Sequence, residues 1–122
     1  YFNYFYIRYQ SSVWIHKRTG NDIWKNLFEL PLIETDKPLS IEELQQTDMF
    51  KRLFADVRQI SFAAPAFHAK HVLSHRIIYA SFYSVEIDAP GEGLSGYQQI
   101  DETETDNFAV SRLTLRFLEQ KP

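Results

Sequence analysis

The chain contains no cysteine. That excludes disulfides, thiolate zinc sites, iron–sulfur ligation within this segment and a cysteine nucleophile. It also fits a reducing cytoplasm, the expected compartment. There is no run of about 18 apolar residues, so no helical membrane span is expected, and no basic-then-apolar segment opens the chain. Methionine occurs once, as Met49, and the first residue is Tyr1. Because the opening residues already read as strand, the chain is expected to be a domain taken from a larger protein that continues upstream.

Basic residues are missing from one long tract. Glu86, Asp88, Glu92, Asp101, Glu102, Glu104 and Asp106 are accompanied by no Lys or Arg. Setting these seven aside turns the net charge of −3 into +4. One edge is therefore expected to be acidic and the remainder mildly basic. Such a remainder can touch phosphates but does not predict tight DNA binding by the chain alone.

Aromatic residues, in contrast, are abundant. The 122 residues include ten Phe and seven Tyr, and 44 % are apolar. This supports one aromatic-rich core and one domain over residues 1–122. Asn3–Tyr9 and Ser12–Lys17, split by Gln10-Ser11, read as a β-hairpin. Arg18 to Asp22 reads as a loop, with Gly20 and Asn21 suited to a turn. Trp24, Leu27, Phe28 and Leu30 form an apolar patch ending at Pro31. Ser40-Ile41-Glu42-Glu43 is a capping box, and the spacing of Leu44, Phe50, Leu53 and Phe54 predicts a helix over 41–54. Val57–Ala63 reads as a strand, broken by Pro65.

Arg76–Ile87 reads as a long strand, with Ile78, Ala80, Phe82 and Ser84 on one face and Ile77, Tyr79, Ser81, Tyr83 and Val85 on the other. Ala89 to Gly93 is a turn or mobile loop, and Tyr97–Ile100 a short strand. Asp106 or Asn107 is expected to cap a last helix running to about Glu119. The order predicts an α+β or α/β sandwich, with helices on a mixed or mostly antiparallel sheet.

Several polar groups invite a chemical reading, each with a plainer alternative. His68, His71 and His75 fall within eight residues and would share one side of a helix, as zinc ligands do. The β run that follows argues against a helix, and no fourth ligand precedes Glu86. Partly exposed histidines forming a basic patch with Lys70 and Arg76 are the better reading, in contact with phosphate or with water. Lys17 and Arg18 are a strand-end pair facing DNA, a neighbouring domain or solvent. Trp24 and Phe28 fit a core better than a stacking platform. The acidic tract Asp101 to Asp106 fits a solvated helix start better than a metal site. Ser74, judged by spacing alone, fits a turn between two strands.

Three segments together resemble the C-terminal domain of MutY-type adenine DNA glycosylases, a Nudix-like fold. His16-Lys17-Arg18-Thr19-Gly20-Asn21-Asp22-Ile23-Trp24-Lys25-Asn26-Leu27-Phe28-Glu29-Leu30-Pro31 is similar to the family's basic pair, loop, and Trp-x-x-Leu-Trp/Phe-Glu-Phe/Leu-Pro pattern. His71-Val72-Leu73-Ser74-His75 is similar to its His-x-Phe-Ser/Thr-His loop. Phe108-Ala109-Val110-Ser111-Arg112-Leu113 resembles the start of its closing helix. Leu73 departs from the usual Phe, which puts aromatic packing on DNA there in doubt, and Ser111 departs from a common Pro.

The resemblance implies a Nudix-like mixed sheet with flanking helices. It also implies a role in recognising 8-oxoguanine opposite adenine in duplex DNA. An upstream catalytic domain of the same chain, which carries the iron–sulfur cluster, would excise the adenine. No cofactor, metal or catalytic residue is then expected in this segment, no membrane partner, and a monomer is the default. The implied DNA and lesion contacts are Leu73, Ser74, His75, His71, Lys70, Arg76 and Arg18.

Guanine presents N7 and O6 as acceptors in the major groove. Oxidation at C8 turns N7 into an N–H donor and adds a carbonyl. A serine hydroxyl accepts and donates, so Ser74 suits that altered edge. The rival roles are a protein-interaction or stabilising domain without lesion contact and, less favoured, an active Nudix hydrolase. The hydrolase signature has a Glu six residues after its Gly, but Asn26 stands six after Gly20. The clustered carboxylates that would hold magnesium are missing from the helix at Glu42 and Glu43.

Overall fold

The computed structural model describes residues 1–19, 26–63 and 65–120. Strand β1 (Phe2–Tyr9) lies at the centre of a mixed sheet. It turns at Gln10-Ser11 into β2 (Ser12–Lys17), as the aromatic and β-branched runs predict. On its other side β1 runs parallel to the long strand β7 (Ile77–Ile87), with Phe2 level with Ala80 and Arg8 level with Glu86. Phe2 through Ile7 are all buried, so both faces of the sheet are covered here, which removes the usual in–out alternation.

Five strands extend this frame, three of them only two or three residues long and too short to show periodicity. β3 (Phe28–Glu29) pairs with β2, and β4 (Leu32–Glu34) with β1. β5 (Ile60–Phe62) and β6 (Phe67–Val72) pair antiparallel with successive stretches of β7. The expected strand over 57–63 is thus shorter, and a second strand resumes beyond Pro65. β8 (Gln98–Asp101) flanks β2. Gly20, Asn21 and Trp24, which carried the predicted turn and part of the apolar patch, lie outside the described residues.

Two helix predictions are corrected. The segment 41–54 is two short helices, α1 (Ile41–Gln45) and α2 (Asp48–Leu53). The Ser40–Glu43 capping box is present, but the Thr47 hydroxyl also accepts from the Phe50 N–H at 3.2 Å and starts a new helix. The final helix α3 is Arg112–Gln120. It begins not at Asp106 or Asn107 but at Ser111, whose hydroxyl accepts from the Thr114 N–H at 3.3 Å. The acidic tract instead winds into its own 3₁₀ turn (Glu102–Asn107), capped reciprocally by Asp101 and Glu104. Gly91 and Gly93 sit against the backbone carbonyls of Ala55, Arg52 and Leu53 with no room for a Cβ, so this segment seals the end of α2.

Each face of the sheet has its own core. On one, Tyr4, Phe82 and Phe117 of α3 form a continuous stack with centroid separations of 4.8 and 4.9 Å. On the other, Phe5 is ringed by Phe50, Phe54 and Tyr83 at 5.5–5.8 Å, beneath α1 and α2. The result is the expected α+β mixed sheet of Nudix-like form with flanking helices. Among the described residues no helix is long and apolar enough to cross a membrane.

Candidate functional site

Strands β6 and β7 form a hairpin in register from Phe67–Phe82 to Val72–Ile77. The Leu73 N–H donates to the Arg76 carbonyl at 2.8 Å and closes the turn, which leaves Ser74 and His75 as its two-residue tip. Both are exposed. Among the described residues neither side chain makes a hydrogen bond. Leu73 is half-buried and packs on the core beside α3. It anchors the tip from the α3 side of the sheet.

Arg18 and Arg76, 58 residues apart, converge on one ring: their guanidinium carbons lie 5.7 and 5.9 Å from the Phe2 centroid. This cation–π geometry fixes two basic groups beside the tip. Arg18 also donates to both carboxylate oxygens of buried Glu29, at 3.2 and 2.9 Å. His16 shares a 3.0 Å hydrogen bond with the same carboxylate. Arg18 is therefore held by an ion pair within the fold as well as by the ring that it shares with Arg76. The adjacent Lys17 is exposed.

The histidines do not form one cluster. Residues three apart on a strand point to opposite faces, so His68 and Lys70 share one face of β6 and His71 takes the other. His68 shares a 2.8 Å hydrogen bond with Ser81. Lys70 lies opposite Tyr79, on the face away from Leu73 and Arg76. The candidate group is thus Ser74 and His75 at the tip, Arg76 and Arg18 beside Phe2, and Lys70 on the reverse side.

Around Arg18 the charge is balanced, since its guanidinium also lies 3.6 Å from Glu34 beside the Glu29 pair, whereas from Val57 to Val85 there is no Asp or Glu. Glu86 and Glu102 lie at the far end of β7, where Arg8 bridges them at 3.5 and 3.0 Å. Groups with shifted acidity also lie away from the tip. Burial, reinforced by Glu102 and opposed by Arg8, pushes the Tyr6 phenol up to about 12. Burial, then Glu29, raises Tyr97.

Sequence reasoning did not mark Glu29 as a partner of His16 and Arg18, since those pairs join different strands. Nor did it mark the exposure of Val72, Ile77 and Tyr79 on one face of the hairpin. The only local signal was an apolar character on both faces of β7, and this does not reveal which stretch is left uncovered.

No curated protein matches the chain. The family model described as NUDIX domain matches residues 3–120, from β1 to the end of α3. With the mixed sheet and flanking helices, this match places the chain in the NUDIX domain family.

Proposed function

We propose that the chain is the lesion-reading C-terminal domain of a MutY-type adenine glycosylase, with Ser74 and His75 meeting 8-oxoguanine in duplex DNA. The supporting observation is the exposed two-residue tip of β6–β7, whose side-chain hydrogen-bonding groups are unspent within the described fold. A two-residue tip closed by a backbone hydrogen bond has little backbone freedom left to lose on binding. Ser74 accepts from the N7–H of the oxidised base and His75 approaches the neighbouring backbone. Arg76 supplies positive charge next to them, and Arg18, paired with Glu29, shares the Phe2 ring with it. Adenine excision belongs to an upstream domain of the same chain, together with that domain's iron–sulfur cluster.

A binding rather than hydrolytic role has separate support. Asn26, where a hydrolase would carry its glutamate, is exposed and has a φ of 72°. Glu43 is engaged by the Ser40 backbone N–H at 2.9 Å. The helix that would array further carboxylates ends at Gln45.

The test compares binding of two duplexes by fluorescence anisotropy, one with 8-oxoguanine opposite adenine and the other with guanine. Ser74→Ala with His75→Ala is expected to cut the preference for the lesion roughly tenfold, the scale of one good base-edge contact. An unchanged ratio, both in this chain and in the chain joined to its own upstream sequence, would sink the assignment.

A further inference from the structure

Residues directly opposite each other across an antiparallel pair share a face. Moving away from the tip, the face of β6–β7 opposite α3 carries three rungs: Val72 with Ile77, Lys70 with Tyr79, and His68 with Ser81. Val72 is 64 % exposed, and Ile77 and Tyr79 are each 44 % exposed. Tyr1 stacks on Tyr79 at 5.2 Å. Further along the same face, Tyr83, Val85 and Ile87 are buried in the core that α1 and α2 cover. The cover therefore stops partway along β7. A groove of about 440 Å³ marks the boundary, with Pro38 and Leu39 on one side and Lys70 and Tyr79 on the other.

This apolar exposure is not needed to hold the turn, since Leu73 already anchors it on the opposite face. A contiguous exposed apolar patch beside cations is the mark of a contact surface. Its partner should be a polyanion: no carboxylate interrupts Val57–Val85, and the charge that this face of the hairpin presents is Lys70, with His68 on the next rung and Arg76 turned to the opposite face. The patch is also continuous with the Ser74–His75 tip.

We infer that this face, and not only the tip, lies along duplex DNA; the inference builds on the function proposed above. Val72 and Ile77 pack on deoxyribose and base edges next to the lesion. Lys70 meets a phosphate, and Tyr79, held by Tyr1, lies against the following sugar. Val72 to His68 spans about 14 Å at the rise of a strand. That matches about four base pairs on one side of the lesion.

The experiment measures anisotropy over a series of salt concentrations with the 122-residue chain. The 8-oxoguanine duplex is used at full length and also trimmed on either side of the lesion. Val72→Ser with Ile77→Ser is expected to weaken binding roughly fivefold. Lys70→Ala is expected to reduce the salt slope by about one. Trimming one side only should abolish both effects. These positions are exposed, so folding should be kept; if melting shows otherwise for the double variant, the Lys70→Ala slope carries the test alone.

Unchanged affinity and slope in these variants, with lesion preference still lost in Ser74→Ala/His75→Ala, would overturn this inference and leave the proposed function standing. That pattern would make the face a protein-docking surface. Loss of affinity in the face variants, with no effect at Ser74 and His75, would instead support DNA contact by the face and remove the lesion-reading role from the tip.

Discussion

The molecule contains two hairpins with two-residue tips, at opposite ends of the sheet. The β1–β2 tip, Gln10-Ser11, is tied back. The Ser11 carbonyl accepts from the Glu102 N–H at 2.7 Å, Arg8 donates to the Gln10 carbonyl at 3.2 Å, and Gln99 donates to Ser12 at 2.9 Å. The β6–β7 tip, Ser74-His75, has its closing bond and a half-buried anchor in Leu73, and nothing among the described residues occupies its side-chain polar groups. Ile77 and Glu86, near the ends of β7, are about 30 Å apart along the strand. The first hairpin sits beside Glu86 and Glu102, bridged by Arg8, and the second is built from strands without a carboxylate between Val57 and Val85. Hairpins of the same length thus differ in whether their polar groups are used internally, and only one is left with groups to offer a ligand.

The sharpest way to break this contrast is to undermine the strand that carries the second hairpin. Phe82 is fully buried between Tyr4 and Phe117. Phe82→Ala should cost about 3–5 kcal/mol, because the hole cannot close between two stacked rings. Urea unfolding measures this directly. Ser74→Ala should change stability by less than about 0.5 kcal/mol. A loss below about 1 kcal/mol at Phe82 would mean that the stack does not hold β7, and the rigidity assigned to the tip would go with it.

Much of this frame was legible locally. The aromatic runs on either side of Gln10-Ser11, the long strand from Ile77 and the Ser40–Glu43 box all depend on neighbours in sequence. The break at Thr47 was not legible, because a threonine inside an apolar helical pattern can either continue a helix or cap a new one, and packing decides. Asp101 and Glu104 close their own turn, which moved the start of the last helix to Ser111. β3 and β4, at two and three residues, exist only through pairing with distant strands. At the site, motif resemblance and strand prediction marked the loop at Ser74. The convergence of Arg18 and Arg76 on Phe2, and the bare face at Val72 and Tyr79, depend on which distant elements cover each face.

Alkaline pH probes the first hairpin through Tyr6. Tyr6 lies two residues before Arg8, with Glu102 nearby, and its folded pKa is raised from 10.0 to about 12. Between these values the unfolded chain loses the phenolic proton while the folded chain keeps it. Stability present below about pH 10 is therefore lost as pH rises through about 12. Tyr97 and Tyr83 are raised in the same direction by burial. Urea midpoints should fall over that window, and Tyr6→Phe should flatten part of the fall. An identical pH profile in the variant would show that Tyr6 is not a source of the alkaline loss.

The smallest expected effect distinguishes the two tips by sign. Among the described non-glycine residues, positive φ is confined to Gln10 (54°), Asn26 and Asp56. A left-handed residue with a Cβ costs about 1–2 kcal/mol, and glycine's greater freedom in the unfolded chain takes back about 0.5–1 kcal/mol. Gln10→Gly should therefore stabilise the fold by about 0.5 kcal/mol. Ser74→Gly relieves no such strain and should lose about 0.5–1 kcal/mol. The same pair separates in binding: Gln10→Gly should leave DNA affinity unchanged, while Ser74→Gly should lower the preference for the oxidised base. If both glycines destabilise, the left-handed turn at Gln10 is not strained, and its many internal bonds rather than its backbone geometry define the difference between the hairpins.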